Sequence, residues 1–240
     1  MVVKNRSVFE KYIKPESLVG GVFFHPTRHI YLLLTNKAYR VLSLLNSKYK
    51  TYPRYKHKQI NVDGMSLSVP DMTSFIGGYK EIFVDKIYDV PDKGMRILDL
   101  GANIGISCLY FKNIFPGSKI KAFEADPIIA DILRNNLAKN NINDVEVINK
   151  AVWIDCHGIE FGVNGADGGS INAVDNKITI DSIRLKDFID SEECIDLLKI
   201  DIEGAEYSVL EDCRNSLSRV KHLFIEYHSW SHLDQNLSQI

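Results

Sequence analysis

The sequence predicts an α/β fold with a doubly wound, mostly parallel sheet and a small α+β extension at the N-terminal end. From Met95 onward, short apolar stretches alternate with helical stretches, which is typical of parallel strands joined by helices. Before Pro91 the chain lacks this alternation and contains a hairpin pattern instead. We therefore predict an N-terminal extension over residues 1–90 and an α/β domain over residues 91–240.

The N-terminal extension contains two helical patterns and one hairpin pattern. Asn36–Tyr49 carries apolar residues at helical spacing and predicts an amphipathic helix. Gln59–Val62 and Met65–Val69 alternate in polarity on either side of Asp63-Gly64, a dipeptide that favours a tight type I′ turn. Thr73–Val90 predicts a second helix. We expect this extension to contact substrate or a second copy of the chain in a homodimer.

The α/β domain reads as strands separated by turn residues and helices. In chain order, the predicted elements are strand Arg96–Leu100, helix Ile104–Phe115, strand Lys119–Glu124, helix Pro127–Asn140, strands Val145–Asn149, Ile159–Val163, Ile178–Ile180 and Leu197–Ile200, helix Ala205–Leu217, and strand Leu223–Glu226. A glycine-rich loop, Gly162–Gly169, interrupts them.

Composition and charge restrict the class of protein. With 45% hydrophobic and 25% charged residues, the 240-residue chain is that of an ordinary globular protein. A net charge of −2 argues against a nucleic-acid partner. The four cysteines form no Cys-x-x-Cys pair, which fits a reducing compartment. No apolar run is long enough to span a bilayer and no signal-peptide pattern is present, so we expect a cytoplasmic protein.

The segment Asp99–Gly105 follows a predicted strand and opens a predicted helix, where nucleotide cofactors bind in α/β folds. A dinucleotide fingerprint would have glycine in place of Asp99, and a carboxylate there repels a pyrophosphate. A cofactor with a cationic sulfonium and an ammonium group would instead be attracted, and Gly101 and Gly105 would let the backbone approach it. The segment therefore predicts S-adenosyl-L-methionine, with Ala102 and Asn103 completing the turn, and argues against an NAD-dependent dehydrogenase.

Further cofactor contacts are predicted at the ends of the next strands. Glu124 lies about twenty residues after the glycine turn, where a carboxylate accepts hydrogen bonds from ribose hydroxyls. Ala125 follows it directly. Ala151 comes after the third strand, and a small residue there would flank the adenine ring.

Acidic residues and a histidine end two later strands. Asp201 stands at the end of a buried strand and is our first candidate for a general base, with Glu203 in reserve. The preference of helix N-termini for acidic residues also explains Glu203 and Glu206. His228 ends the last readable strand and is the second candidate base, since an unperturbed histidine has a pKa near neutrality. A histidine in a purely structural role at this strand end is the alternative.

A metal-assisted version of the site is a further alternative. It would place Mg²⁺ on Asp201, Glu226 and His228, with His232 four residues further along the chain. Because no dense metal-ligand motif is present, the sequence favours a site without a metal.

Six segments together resemble the FkbM-type methyltransferase family, in that family's order between Met95 and His228. They are Asp99–Gly105, Phe123–Pro127, Asn140-Asn141, Ala151-Val152, Leu198–Glu206 and Ile225–His228. The resemblance implies a seven-stranded, Rossmann-like class I methyltransferase fold and S-adenosyl-L-methionine as methyl donor. It also implies O-methylation, usually of hydroxyls on sugars or polyketide-like natural products. We expect the acceptor to be a small molecule or glycan, with the methylated hydroxyl on a sugar, glycolipid or related metabolite. It assigns cofactor binding to Asp99, Gly101, Asn103, Gly105 and Glu124.

Two departures and two rival functions accompany this resemblance. Ala125 replaces the family's proline, and the chain ends at Ile240, before the family's last helix and strand hairpin, so we expect a truncated chain. An RNA methyltransferase is favoured only by the basic, tyrosine-containing stretch Lys48–Lys58, and the aromatic motif that stacks a flipped base is absent after Asp201. A catalytically silent nucleoside-binding module is the second rival.

Overall fold

A parallel sheet forms the centre of the computed structural model, which describes residues 2–5, 21–91, 95–162 and 177–228. Within these residues the sheet has six strands, in the spatial order β1-β12-β11-β4-β5-β6. Every neighbouring pair is parallel. In chain order these strands are β1 (Val2–Asn5), β4 (Arg96–Leu100), β5 (Lys119–Phe123), β6 (Val145–Ile148), β11 (Ile195–Ile200) and β12 (Val220–Tyr227).

Six further strands lie outside the central sheet. They are β2 (Lys58–Val62), β3 (Met65–Val69), β7 (Ala151–Trp153), β8 (Ile159–Gly162), β9 (Lys177–Ile180) and β10 (Ser182–Arg184). β2 and β3 form the predicted hairpin, and positive φ angles at Asp63 (50°) and Gly64 (84°) confirm its turn. β8 and β9 form a second antiparallel pair, while β7 and β10 pair in parallel.

Helices cover both faces of the sheet, which confirms the doubly wound α/β class. The helices are α1 (Gly21–Thr35), α2 (Lys37–Tyr49), α3 (Met72–Tyr79), α4 (Ile106–Ile114), α5 (Pro127–Lys139), α6 (Leu185–Ser191) and α7 (Glu206–Cys213). Side chains alternate along β4, so that Ile97 packs with α4, α5 and the N-terminal extension, whereas Leu98 packs with α6 and α7. No helix in the described ranges combines the length and apolar character needed to cross a bilayer.

Several predicted boundaries were wrong for local reasons. Helix α4 begins two residues later than Ile104, because Gly105 is its N-cap with a left-handed φ of 90°. The helix predicted over Thr73–Val90 ends in a π-helical turn at Val84, and Lys86 then has a positive φ of 51°. The predicted helix Ala205–Leu217 is split into α7 and a 3₁₀ turn at Ser216–Arg219.

Some predictions fall wholly or largely outside the described residues. They concern the glycine-rich loop Gly162–Gly169, His232 and the segment Leu233–Ile240. Five elements were absent from the sequence prediction, and these are β1, α1, β7, β10 and α6.

Two asparagines, one in α5 and one at its C-terminal cap, join the N-terminal hairpin to the α/β domain. The Oδ1 atoms of Asn136 and Asn140 accept hydrogen bonds from the backbone N–H groups of Ser68 (2.7 Å) and Ser66 (2.9 Å). Their amide groups donate back to the carbonyl oxygens of the same two serines, at 3.1 and 2.9 Å. Asn136 also donates to the carbonyl of Ile104 at 3.0 Å, so the hairpin is connected directly to the glycine turn.

We predict that Asn136→Ala lowers the free energy of unfolding by about 2–3 kcal/mol, because it leaves buried backbone groups without partners. Urea unfolding followed by circular dichroism measures this difference. Asn135→Ala, an exposed neighbour on the same helix, is the control and should change stability by less than about 0.5 kcal/mol. Equal stability of the two variants would contradict the described attachment of the hairpin.

Candidate functional site

The glycine turn, Gly101–Gly105, follows β4 and is hydrogen-bonded to the end of the neighbouring strand β5. The backbone N–H groups of Gly101 and Ala102 both donate to the carbonyl of Phe123, at 2.9 Å each. A Cβ atom on Gly101 would lie 1.8 Å from the carbonyl oxygen of Asp201, and one on Gly105 would lie 2.4 Å from Leu133 Cδ1. Packing against the backbone of Asp201 therefore requires glycine at position 101, whereas the left-handed φ of 90° favours glycine at position 105.

Asp99 lies beneath this turn and is fully buried. Its Oδ1 atom is 3.1 Å from Nζ of Lys199, and its Oδ2 atom accepts a hydrogen bond from the Ser107 hydroxyl at 2.5 Å. We had expected Asp99 to face a bound cation directly, but in the structure the cation beside it is Lys199. Asp99 does not line the cavities described below, so its predicted cofactor contact remains a prediction.

Lys199 connects the ends of β4 and β11. Its ammonium group donates to the carbonyl of Gly101 at 2.7 Å and lies 3.6 Å from Oδ2 of Asp201. Burial disfavours its positive charge, but the neighbouring carboxylates of Asp99 and Asp201 outweigh burial and hold its pKa well above the usual value. Lys199 is therefore protonated at neutral pH, and its ammonium group holds the glycine turn through the hydrogen bond to Gly101.

Glu124 follows β5 and is held by two backbone groups. Its Oε2 and Oε1 atoms accept hydrogen bonds from the N–H groups of Asn103 (2.8 Å) and Asp126 (2.9 Å). The Asn149 amide donates to the carbonyls of Glu124 (2.8 Å) and Ala125 (3.0 Å) and so fixes the loop. Burial raises the pKa of Glu124 to about 7, although the two backbone hydrogen bonds act in the opposite direction.

Four carboxylates surround the imidazole of His228. Nδ1 lies 2.8 Å from Oε1 of Glu206, which also accepts a hydrogen bond from the backbone of Gly204. Nε2 faces Glu203 at 3.5 Å, and Asp201 and Glu226 at 3.8 Å each. The side chain of His228 is only 7% exposed. The structure thus brings together all three candidate catalytic residues, and Glu206 and Glu226 with them.

The environment of His228 weakens the argument for a neutral general base. Burial lowers its pKa, but the hydrogen bond to Glu206 and the charges of Glu203 and Asp201 outweigh burial and raise the pKa to about 9. A metal-free His228 is therefore protonated at neutral pH and cannot accept a proton there. The expectation of a pKa near neutrality was wrong because it omitted these carboxylates.

Two adjoining cavities meet at the glycine turn. The larger, of about 670 Å³, lies between the turn and the N-terminal extension, which contributes among others Arg54, Tyr55, Asp71, Ser74, Glu81 and Tyr88. The smaller is lined by Glu124, Ala125 and Ala151 together with apolar side chains from Val152, Ile159 and Phe161. Gly101, Asn103, Asp201 and Glu203 line both cavities, and Ala102 lines the larger one.

Sequence reasoning missed Lys199, Asn149 and Glu206 as parts of this site. Lys199 and Glu206 were visible within the segment Leu198–Glu206, but Asp99 and His228, with which they interact, belong to other strand ends. Lys199 lies beside Asp99 because β11 and β4 pair in a parallel register that aligns these two residues.

The family model described as Methyltransferase FkbM domain matches residues 99–239, more than half of the chain. The chain belongs to this family. The matched segment begins at Asp99 and includes the glycine turn, Glu124, Lys199 and the cluster around His228.

Two of the curated relatives that the chain matches are named as methyltransferases. Methyltransferase sdnD of Sordaria araneosa is 30% identical over 55% of this chain and 66% of its own length. The 2-O-methyltransferase NoeI of Sinorhizobium fredii is 26% identical over 55% of this chain and 62% of its own length. The match thus spans less than two thirds of the length of each of these two relatives.

Among solved structures, Methyltransferase FkbM from Methylobacillus flagellatus KT matches 64% of this chain and 41% of its own chain. The identity is 20% and the TM-score is 0.43. At this level of similarity, the fold class rests on the sheet order and the helix layers described above.

We predict that Lys199→Met lowers the free energy of unfolding by about 3–5 kcal/mol, because it leaves the charge of Asp99 buried without a cation. Adding Asp99→Asn should recover a substantial part of this loss, since the double variant no longer contains the unpaired charge. Chemical unfolding of the two single variants and the double variant measures the coupling. Strictly additive losses would show that the two side chains do not depend on each other.

Proposed function

We propose that the protein is an S-adenosyl-L-methionine-dependent methyltransferase that O-methylates a hydroxyl of a sugar, glycolipid or related metabolite. The observation that carries the proposal is the pair of cavities meeting at the glycine turn, with a carboxylate for a ribose on one side and an acidic cluster on the other. Membership of the FkbM family supports the same reaction.

The smaller cavity fits the adenosyl part of the cofactor. Glu124 is held rigidly by backbone groups and keeps lone pairs to accept hydrogen bonds from the two ribose hydroxyls. Val152, Ile159 and Phe161 offer apolar surface to a flat purine, and Ala151 leaves room beside it. The carboxylate disfavours a phosphate in this position, which agrees with a nucleoside lacking phosphates.

The larger cavity fits the methyl acceptor. The N-terminal extension lines it opposite Asp201 and Glu203, and both apolar and polar side chains of the extension contribute to its wall. Such a mixed surface suits a polyhydroxylated acceptor better than an apolar one. The name of the relative NoeI, a 2-O-methyltransferase, is consistent with a hydroxyl as the methylated group.

The chain's own residues would position the acceptor and remove its proton. When bound, S-adenosyl-L-methionine supplies an activated methyl group that passes to a nucleophilic oxygen in one displacement. Asp201 and Glu203 line the junction of the cavities, where a carboxylate oxygen of this pair takes the hydroxyl proton. His228 is held by Glu206 and positions these two carboxylates.

The basic stretch that favours an RNA substrate has local partners. Lys56 and Lys58 lie 5.9 and 5.4 Å from the ring centre of Tyr52, and the guanidinium of Arg54 lies 4.9 Å from that of Tyr55. These cation–π contacts explain the interleaved tyrosines without a nucleic acid. We therefore favour the small-molecule or glycan acceptor, and retain the predictions of a cytoplasmic location and of dimerisation through the extension.

We predict that the affinity for S-adenosylhomocysteine rises with pH through about 7 and is about tenfold weaker at pH 6 than at pH 8. The reason is that ribose hydroxyls bind the ionised form of Glu124 more strongly, so protonation on the acid side of its pKa weakens binding. Calorimetric titration at several pH values measures the profile.

Glu124→Gln should bind more weakly and lose this pH dependence. Glu160→Gln, an exposed carboxylate on β8 beside the same cavity, is the matched control and should keep the profile of the wild type. An unchanged profile in Glu124→Gln would remove Glu124 from the cofactor site.

We predict that the chain transfers a labelled methyl group from S-adenosyl-L-methionine to a hydroxyl in a panel of sugars, glycosides and glycolipids. Asp201→Asn should lower kcat by about 10²–10⁴-fold with little change in affinity for S-adenosylhomocysteine, because it removes a proton acceptor. Asp131→Asn, an exposed residue of α5, is the control. Cofactor binding without transfer to any acceptor would indicate the silent nucleoside-binding module instead.

A further inference from the structure

The imidazole nitrogen Nε2 of His228 is buried and has no hydrogen-bond partner among the described residues. An ionised carboxylate accepts hydrogen bonds but does not donate them, so the contact with Glu206 places the hydrogen of the ring on Nδ1. Nε2 then directs either a lone pair or a second proton toward Glu203, Asp201 and Glu226. In the metal-free protein the second proton occupies this position, and a metal ion bound by the Nε2 lone pair and the carboxylates would replace it.

We propose that Asp201, Glu203 and His228 form a binding site for a divalent metal ion, beside the acceptor cavity. One ligand atom from each of these residues lies within 4.8 Å of the other two. Ligands at about 2.1 Å from a common ion lie about 3 Å apart when adjacent and about 4.2 Å apart when opposite, so small side-chain movements complete the site. Glu226, whose Oε1 is 3.8 Å from Nε2, is the fourth candidate ligand.

The hydrogen bond between Glu206 and Nδ1 of His228 is a second observation that supports the metal site, separate from the positions of the proposed ligand atoms. Metal-binding histidines commonly donate their second ring hydrogen to a carboxylate, which fixes the tautomer and makes the metal-binding nitrogen more basic. Glu206 is itself 1% exposed and is held by the backbone N–H groups of Gly204 and Ile202. The histidine is therefore already oriented with Nε2 toward the carboxylates.

Two carboxylates and one imidazole favour a metal ion that binds both oxygen and nitrogen ligands. Carboxylates suit Mg²⁺, Ca²⁺ and Mn²⁺, whereas imidazole suits the transition metals, so Mn²⁺ satisfies both preferences. An ion here would bind the oxygen of the acceptor hydroxyl and lower its pKa. This role rests on the proposed function, because it presupposes an acceptor in the larger cavity, and it replaces the sequence-based expectation of a site without a metal.

The test is the binding of Mn²⁺ to the full chain, followed by electron paramagnetic resonance with and without S-adenosylhomocysteine. We expect one Mn²⁺ per chain, competition by Mg²⁺, and spin-echo modulation from a directly bound imidazole nitrogen. Glu203→Gln and His228→Ala should weaken binding at least tenfold, and His228→Ala should abolish the nitrogen modulation. Glu146→Gln, an exposed carboxylate on β6, should bind like the wild type.

Circular dichroism confirms that each variant is folded, and Glu203→Gln keeps the test informative should His228→Ala unfold. Mn²⁺ that stays free, or that binds all variants equally, overturns the metal site. If S-adenosylhomocysteine binding and methyl transfer persist under those conditions, the proposed function stands without the metal. Conversely, Mn²⁺ binding with the expected nitrogen signal but no affinity for S-adenosylhomocysteine overturns the proposed function and keeps the metal site.

Discussion

The buried ion pair of Asp99 and Lys199 connects the parts of the site, because Lys199 also binds the carbonyl of Gly101 and lies beside Asp201. One ammonium group thereby fixes the glycine turn after β4 relative to the acidic end of β11. Buried ion pairs contribute little net stability compared with apolar substitutes, so we interpret this pair as a positioning device. Its geometry depends on the parallel register that places Lys199 beside Asp99.

The N-terminal extension completes the site from the opposite side. Asn136 and Asn140 bind the backbone of β3 through paired amide hydrogen bonds, and a common hydrophobic core continues from the hairpin and α3 into α4 and α5. The extension therefore lines the larger cavity as part of the same packed structure.

Sequence alone predicted the elements whose signals are local. The strand–turn–helix pattern around Asp99, the type I′ turn at Asp63-Gly64 and the proline at the start of α5 each depend on neighbouring residues. Relations between distant segments could not be predicted in this way. The partner of Asp99 is a hundred residues away, and the pKa of His228, which follows β12, is raised by the carboxylates of Glu206, Glu203 and Asp201, which follow β11. The packing reason for glycine at position 101 was likewise invisible, because Asp201 approaches it only in the fold.

A crystal structure of the chain with S-adenosylhomocysteine tests the central claim most directly. The account predicts that the ribose hydroxyls lie within hydrogen-bonding distance of Glu124, while Asp99 and Lys199 stay paired beneath the glycine turn. Ribose hydroxyls far from Glu124, or a ligand that displaces Lys199 from Asp99, would contradict the account. So would a ligand bound away from both cavities.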